Sequence, residues 1–178
     1  AALILTTLVS SMLAVVATVS APAFAAVNPI DCANVGMLQV ISDNGVSVTV
    51  NEMDVTSDPV NASLTQLFQE PLTGTQDKFN GVGVNPIDNQ LYGSLKHTDG
   101  KGYFVRLGDD GFEYLFEFDK GHNFIADFDE NGNYIYNMAG YTKISGADQL
   151  QGYASQAAVD AANPTDTSVA IPNTLTAS

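Results

Sequence analysis

The chain has 178 residues, of which 20 are acidic and six basic, for a net charge of −14. That length suits a single domain once any targeting segment is set aside. A chain this acidic cannot neutralise phosphates, which argues against nucleic acid and anionic membranes as partners. With one cysteine, Cys32, the fold does not rest on disulfides within these residues.

Residues 1–25 carry no charged side chain. Their apolar run from Leu3 to Ala17 ends in Ser20-Ala21-Pro22-Ala23-Phe24-Ala25, and the small-x-small close Ala23-Phe24-Ala25 is the pattern of a secretory signal. Cleavage is expected before Ala26, giving a secreted or cell-surface protein that keeps no membrane segment. The competing reading is a retained, pilin-like helix, since Ala2 to Val19 approaches the roughly 20 apolar residues a bilayer requires. Pro22 and the small-residue close favour removal. Cys32 lies beyond the expected cut, so it does not fit a lipid-anchored cysteine.

Residues 26–146 are expected to form an all-β, antiparallel domain. Met37 to Ile41 and Val46 to Val50 flank Ser42-Asp43-Asn44-Gly45, a hairpin signal because Asn and Gly tolerate the positive φ of tight turns. Strand character returns at Leu64 to Phe68. Further strands are expected at Gln90–Leu95, Tyr103–Leu107, Phe112–Phe118, Phe124–Phe128 and Tyr134–Met138, each separated by Gly- and Asp-rich turns. Even spacing of short strands indicates a sandwich, barrel or propeller. Residues 147–178 show modest helix propensity between Gln149 and Ala162. They then become rich in Thr, Ser, Asn and Pro, and are expected to be a flexible linker or tail.

Superposing Leu91-Tyr92 on Ile135-Tyr136 gives an ungapped offset of 44 residues, with Val84 over Phe128 and Asn85 over Asp129. Both copies read as apolar strand, Asn/Asp bend and aromatic strand. A weaker third copy is expected around Asp43-Asn44-Gly45. A period of this size with several strands per unit suits propeller blades, which stack because one sheet cannot bury both faces alone.

At these residues, Asn80-Gly81-Val82-Gly83-Val84-Asn85-Pro86-Ile87-Asp88-Asn89-Gln90-Leu91-Tyr92-Gly93 and Ile125-Ala126-Asp127-Phe128-Asp129-Glu130-Asn131-Gly132-Asn133-Tyr134, the chain resembles an uncharacterised secreted β-propeller-like domain found near the N-terminus of bacterial surface proteins. The resemblance spans Asp31 to Tyr141 and implies the fold without implying chemistry. Members of that family carry more blades than the three or so this length allows.

Asp127-x-Asp129-x-Asn131-Gly132-Asn133 imitates the opening of a calcium loop, making calcium the one candidate ligand. The twelfth position, a bidentate Glu in an EF-hand, is Met138 here, and a hairpin turn explains the same residues. His97 and His122 lie in Gly-rich turns without zinc spacing. Carboxylate pairs for glycoside hydrolysis could be drawn from Glu113, Glu117, Asp119 and Asp127, but an acidic chain produces such pairs freely. The aromatics Tyr103, Phe104, Phe112, Tyr114, Phe116, Phe118 and Tyr134 are expected inside rather than on a sugar-stacking platform, and the chain has no Trp. No catalytic residue or cofactor is assigned. The expected role is a non-catalytic structural or adhesive module with an unidentified protein or surface partner. The alternatives are a fragment of a secreted propeller enzyme, a lyase or hydrolase, and a pilin-like subunit.

Overall fold

The computed structural model describes residues 28, 36–54, 63–119, 125–137 and 140–172. The expected signal segment 1–25, Cys32 and His122 lie outside the described residues. Among the described residues three antiparallel sheets make up the fold, and none closes on itself. The first is a meander of β1 (Met37–Asp43), β2 (Ser47–Asp54) and β3 (Ser63–Pro71). The second runs β4 (Gln76–Val84), β5 (Leu91–His97), β6 (Gly102–Gly108) and β7 (Gly111–Glu117), each strand pairing with the next. The third contains β8 (Ile125–Phe128), β9 (Tyr134–Asn137), β10 (Tyr141–Ile144) and the two-residue β11 (Val169–Ala170), in that spatial order.

The second sheet lies between the other two, and its composition shows why. Side chains alternate across a strand, and here both sets are apolar. Leu91, Leu95, Tyr103, Val105, Leu107, Phe112 and Tyr114 share one core with Val48 and Val50 of β2. Tyr92, Phe104, Phe116 and Phe118 share the other with Tyr134, Tyr136 and Ile144 of the third sheet. All seven aromatics expected inside are buried. A β-bulge between Asn80 and Gly83 changes the phase of β4, so Phe79 joins the first core while Gly83 touches the third sheet.

The bends at Asn85 and Asp129 share a local hydrogen-bond pattern and touch one another. In each, the first residue's side chain accepts a backbone N–H two positions on: Asn85 Oδ1 from Ile87 at 3.1 Å, and Asp129 Oδ1 from Asn131 at 2.9 Å. Each closes with a 3.0 Å bond, Asn85 N–H to Gln90 C=O and Asp129 N–H to Asn133 C=O. Asn89 and Gly132 hold the positive φ each bend requires, 58° and 73°. The second bend is one residue shorter, so strand pairing matches Leu91 with Tyr134 rather than with Ile135. A Cβ on Gly132 would stand 2.5 Å from Ile87, and one on Gly83 would stand 3.1 Å from Asp127.

The third copy differs. Ser42 Oγ accepts from the Phe79 N–H, and the Gly45 N–H donates to Asp77 C=O. The β1–β2 turn therefore meets the beginning of β4, whereas the other two bends lie at the ends of β4 and β8. Asp43-Asn44-Gly45 forms the turn of the β1–β2 hairpin.

The expected tail is also corrected, because residues 147–172 pack against the sheets. A 3₁₀ turn at Ala147–Gln149 leads to Tyr153, which pairs with Tyr114 at the free edge of β7. Helix α1 (Gln156–Ala162) is capped by Ser155, whose Oγ accepts from Ala158, and ends at the left-handed Asn163. It sinks Val159 into the first core. Composition conceals this, because a few buried anchors (Ala147, Tyr153 and Val159), with Leu150 and Ala158 packed beside them, dock a segment otherwise made of small and polar residues with little periodicity. Among the described residues no helix is long and apolar enough to cross a membrane.

Candidate functional site

Three places collect polar or exposed side chains in a defined geometry. The first is a buried row across the second sheet. Strand register sets Tyr92 opposite Arg106 and Arg106 opposite Glu113. Arg106 donates from Nε to the Tyr92 hydroxyl at 2.8 Å and from Nη1 to Glu113 Oε2 at 2.7 Å. Its Nη2 donates to the carbonyls of Ala147 and Leu150, both at 2.9 Å. Tyr92 donates in turn to Asp88. Burial pushes the Tyr92 hydroxyl far above its usual pKa, against the pull of the Arg106 charge. The row clamps the C-terminal segment to the sheet. Glu113 fits because residue 152 is glycine, where a Cβ would fall 1.7 Å from its carboxylate.

The second place is the end of the second sheet beneath α1. His97 is 1% exposed and lies between the rings of Tyr103 and Tyr114. The bonds close when its proton sits on Nδ1. Nδ1–H then donates to Thr75 Oγ1 at 2.8 Å, and Nε2 accepts from the Tyr114 hydroxyl at 3.2 Å. Thr75 passes its own proton to Gln156 Oε1, Gln156 donates to Tyr103, and Tyr103 donates to Asp160. Lys101 completes the chain with Glu117 at 2.8 Å and Asp160 at 3.3 Å. Burial lowers the His97 pKa, opposed by nearby Asp99. The proton that a general base would take from Thr75 already points at Gln156, so this chain of bonds joins helix to sheet.

The third place is the outer face of the third sheet. Because Ala126, Phe128, Tyr134, Tyr136 and Ile144 face the core, the alternate residues face outward. One row reads Ile125, Asn137, Tyr141, and the next reads Asp127, Ile135, Lys143, Val169. Ile125 is 73% exposed, Tyr141 54% and Val169 64%. Over β8 and β9 the face is hollowed into an open depression of about 410 Å³ bordered by Ile125, Asp127, Ile135, Asn137 and Tyr141.

The calcium-like segment forms the β8–β9 bend. Asp129 accepts from the backbone of Asn131 and Asn133 and from the Asn133 amide. Those bonds, the Asn133 amide foremost, hold its carboxyl below the usual range. Among the described residues no group of three His, Cys, Asp or Glu side chains is arranged to hold a metal ion. The four carboxylates considered for glycoside chemistry separate. Glu113 pairs with Arg106, Glu117 pairs with Lys101, the Asp119 N–H donates to Asp166, and Asp127 Oδ1 accepts from the Phe128 N–H beside Gly83.

Sequence reasoning missed both networks as units. One signal was available: Gly108-Asp109-Asp110-Gly111 makes a two-residue hairpin loop, and counting back from its closing glycines sets Arg106 against Glu113. No protein-family model, no curated protein and no solved structure matches the chain.

Proposed function

We propose that the chain is a non-catalytic module of a secreted or cell-surface protein with a structural or adhesive role, and that its second and third sheets are successive propeller-like blades. One observation carries this reading: residues one repeat apart, Gly83 and Asp127, touch face to face, and the Asn85 and Asp129 bends stack at the same end. Stacking of like units buries the faces that a lone sheet would leave wet. The non-catalytic part is supported by the two polar networks, in which Arg106, Glu113, His97 and Gln156 bond to other protein groups in joints that hold the C-terminal segment. Export is supported by the apolar segment 1–25 and its Ala-x-Ala close.

Expression of the chain in a secreting host tests export, with intact mass as the readout. The extracellular product is expected to begin at Ala26, and retention inside the cell at full mass would overturn the export reading. The purified protein is expected to show no turnover on ester, phosphate and glycoside substrates. Turnover abolished by a single substitution would overturn the non-catalytic reading.

A further inference from the structure

We propose that α1 is an acid-released strap: protonation of His97 lifts it off the end of the second sheet while the three sheets stay folded. The donor count around the ring carries this. In the neutral form the bonds close, with Nδ1–H donating to Thr75, Thr75 to Gln156 on α1, and Tyr114 to Nε2. Tyr114 also accepts from the Gln76 amide at 2.9 Å. A second ring proton sits on Nε2, where it meets the Tyr114 proton head-on. Tyr114 must then turn its proton away and accept from both His97 and Gln76, so its O–H loses its acceptor beside a buried charge.

Charged groups approach the ring from three elements. The β5–β6 turn brings Asp99 and Lys101, α1 brings Asp160, and β7 brings Glu117 behind Lys101. The first sheet presents Val48 and Val50 to the core that Tyr103 and Tyr114 share. Both tyrosines keep their protons, since burial pushes their hydroxyls upward, Tyr103 to about 12. Asp99 and Asp160 favour an imidazolium, and Lys101 opposes it. Neither carboxylate bonds the ring: Asp160 is held by Tyr103 and Lys101, and Asp99 by the Lys101 N–H and the Gln156 amide. Burial outweighs them, so the docked ring resists the proton that an exposed ring accepts at about pH 6.5. Docking is complete above that value and is lost as pH falls below it.

The sheets are held by strand ladders, and α1 by far less. Its seven residues are too few to persist as a helix alone, and of them it buries Val159. The rest of its hold is the Gln156 and Asp160 bonds already described. The chain on either side is fastened separately: Tyr153 exchanges two backbone bonds with Tyr114, and Val169 pairs with Lys143 of β10. α1 is thus a short span between two fixed points, free to open with little of the fold disturbed. Gln156 bonds Thr75 and Tyr103 beside the ring, so opening admits water to His97.

Amide hydrogen exchange followed by NMR tests this, in a His122→Gln background that leaves His97 as the single imidazole. The Ala158, Val159 and Asn163 N–H groups close the backbone bonds of α1. Their protection, corrected for the intrinsic rate, is expected to fall about tenfold between about pH 7.5 and 5.5. One unit below its free pKa, an excluded proton shifts an equilibrium by about that factor. Phe104 and Val105 of β6 are expected to stay protected. The midpoint of the His97 ring shift is expected to coincide with that of the α1 loss, and His97→Gln to make α1 protection independent of pH over this range. Survival of α1 protection after the ring has titrated, an equal loss in His97→Gln, or loss of β6 and α1 together would each overturn the proposal. The midpoint comparison needs only native His97, so it decides the outcome even if His97→Gln does not fold.

Discussion

Arg106 joins more of the buried polar structure than any other side chain described above, because its planar fork offers five donors in fixed directions. It reaches a tyrosine on one strand, a glutamate on the next and two carbonyls of the C-terminal segment. Removing one partner leaves an uncompensated charge in a dry site. Glu113→Ala is therefore expected to cost about 3–5 kcal/mol, measured by urea unfolding at neutral pH. His97 gives a pH-dependent test. Its folded pKa is lowered, so the unfolded chain binds a proton that the folded chain resists. Stability is then full above the unfolded value near pH 6.5, and falls as pH drops below it toward the folded value. Comparing unfolding free energies at about pH 7.5 and 5.5, His97→Gln should show a shallower loss than the wild type. An equal loss in both would remove His97 as the cause. Neither role was visible as a local motif, because each residue's partners come from separate strands or from α1.

At the scale of elements, the strands that read clearly in the sequence are those whose turns are explicit. Gly108-Asp109-Asp110-Gly111 and Asp129-Glu130-Asn131-Gly132-Asn133 punctuate the chain where β6–β7 and β8–β9 fold back. β4 was legible only at its end, and the bulge explains why. Before it Phe79 faces the first core, after it Val82 and Val84 do, so no single alternation runs through the strand. β10 and β11 were missed because four and two residues are too few to show a period. The likeness of the Asn85 and Asp129 bends was legible, but the ungapped alignment runs one residue out of register with the strand pairing beyond the bend. Gly132→Ala tests the contact between bends, since it imposes positive φ on a side chain and drives a Cβ toward Ile87. It is expected to cost about 1–3 kcal/mol by thermal or urea unfolding. A cost within about 0.5 kcal/mol, as at an ordinary surface site, would show that the bends do not constrain one another.

For the whole molecule, the middle sheet is the organising layer, buried on both faces by its neighbours. The C-terminal segment completes it by covering the edge of β7 and seating Tyr153 and Val159. A chain ending at residue 146 exposes those contacts and strips Arg106 of two acceptors. Burial of two large side chains is worth roughly 1.5–3 kcal/mol each, and each hydrogen bond to a charged group adds roughly 1.5–3 kcal/mol. The truncated chain is expected to lose about 5 kcal/mol or more and to unfold at markedly lower urea concentration. Unchanged unfolding would mean that the segment rides on the surface without contributing.

The division between the two levels of information follows from range. Sequence by itself determined what depends on neighbours along the chain: β-rich character, hairpin turns and an apolar interior of aromatics. Each follows from backbone preference or period-2 alternation over a few residues. Only the tertiary structure decided which sheet lies in the middle, that the C-terminal stretch docks, and that Arg106 meets Tyr92, Glu113 and the carbonyls of Ala147 and Leu150 in one network. Those facts depend on which residues distant in sequence become adjacent, and a few anchors such as Val159, Tyr153 and Gly152 settle that without altering local composition.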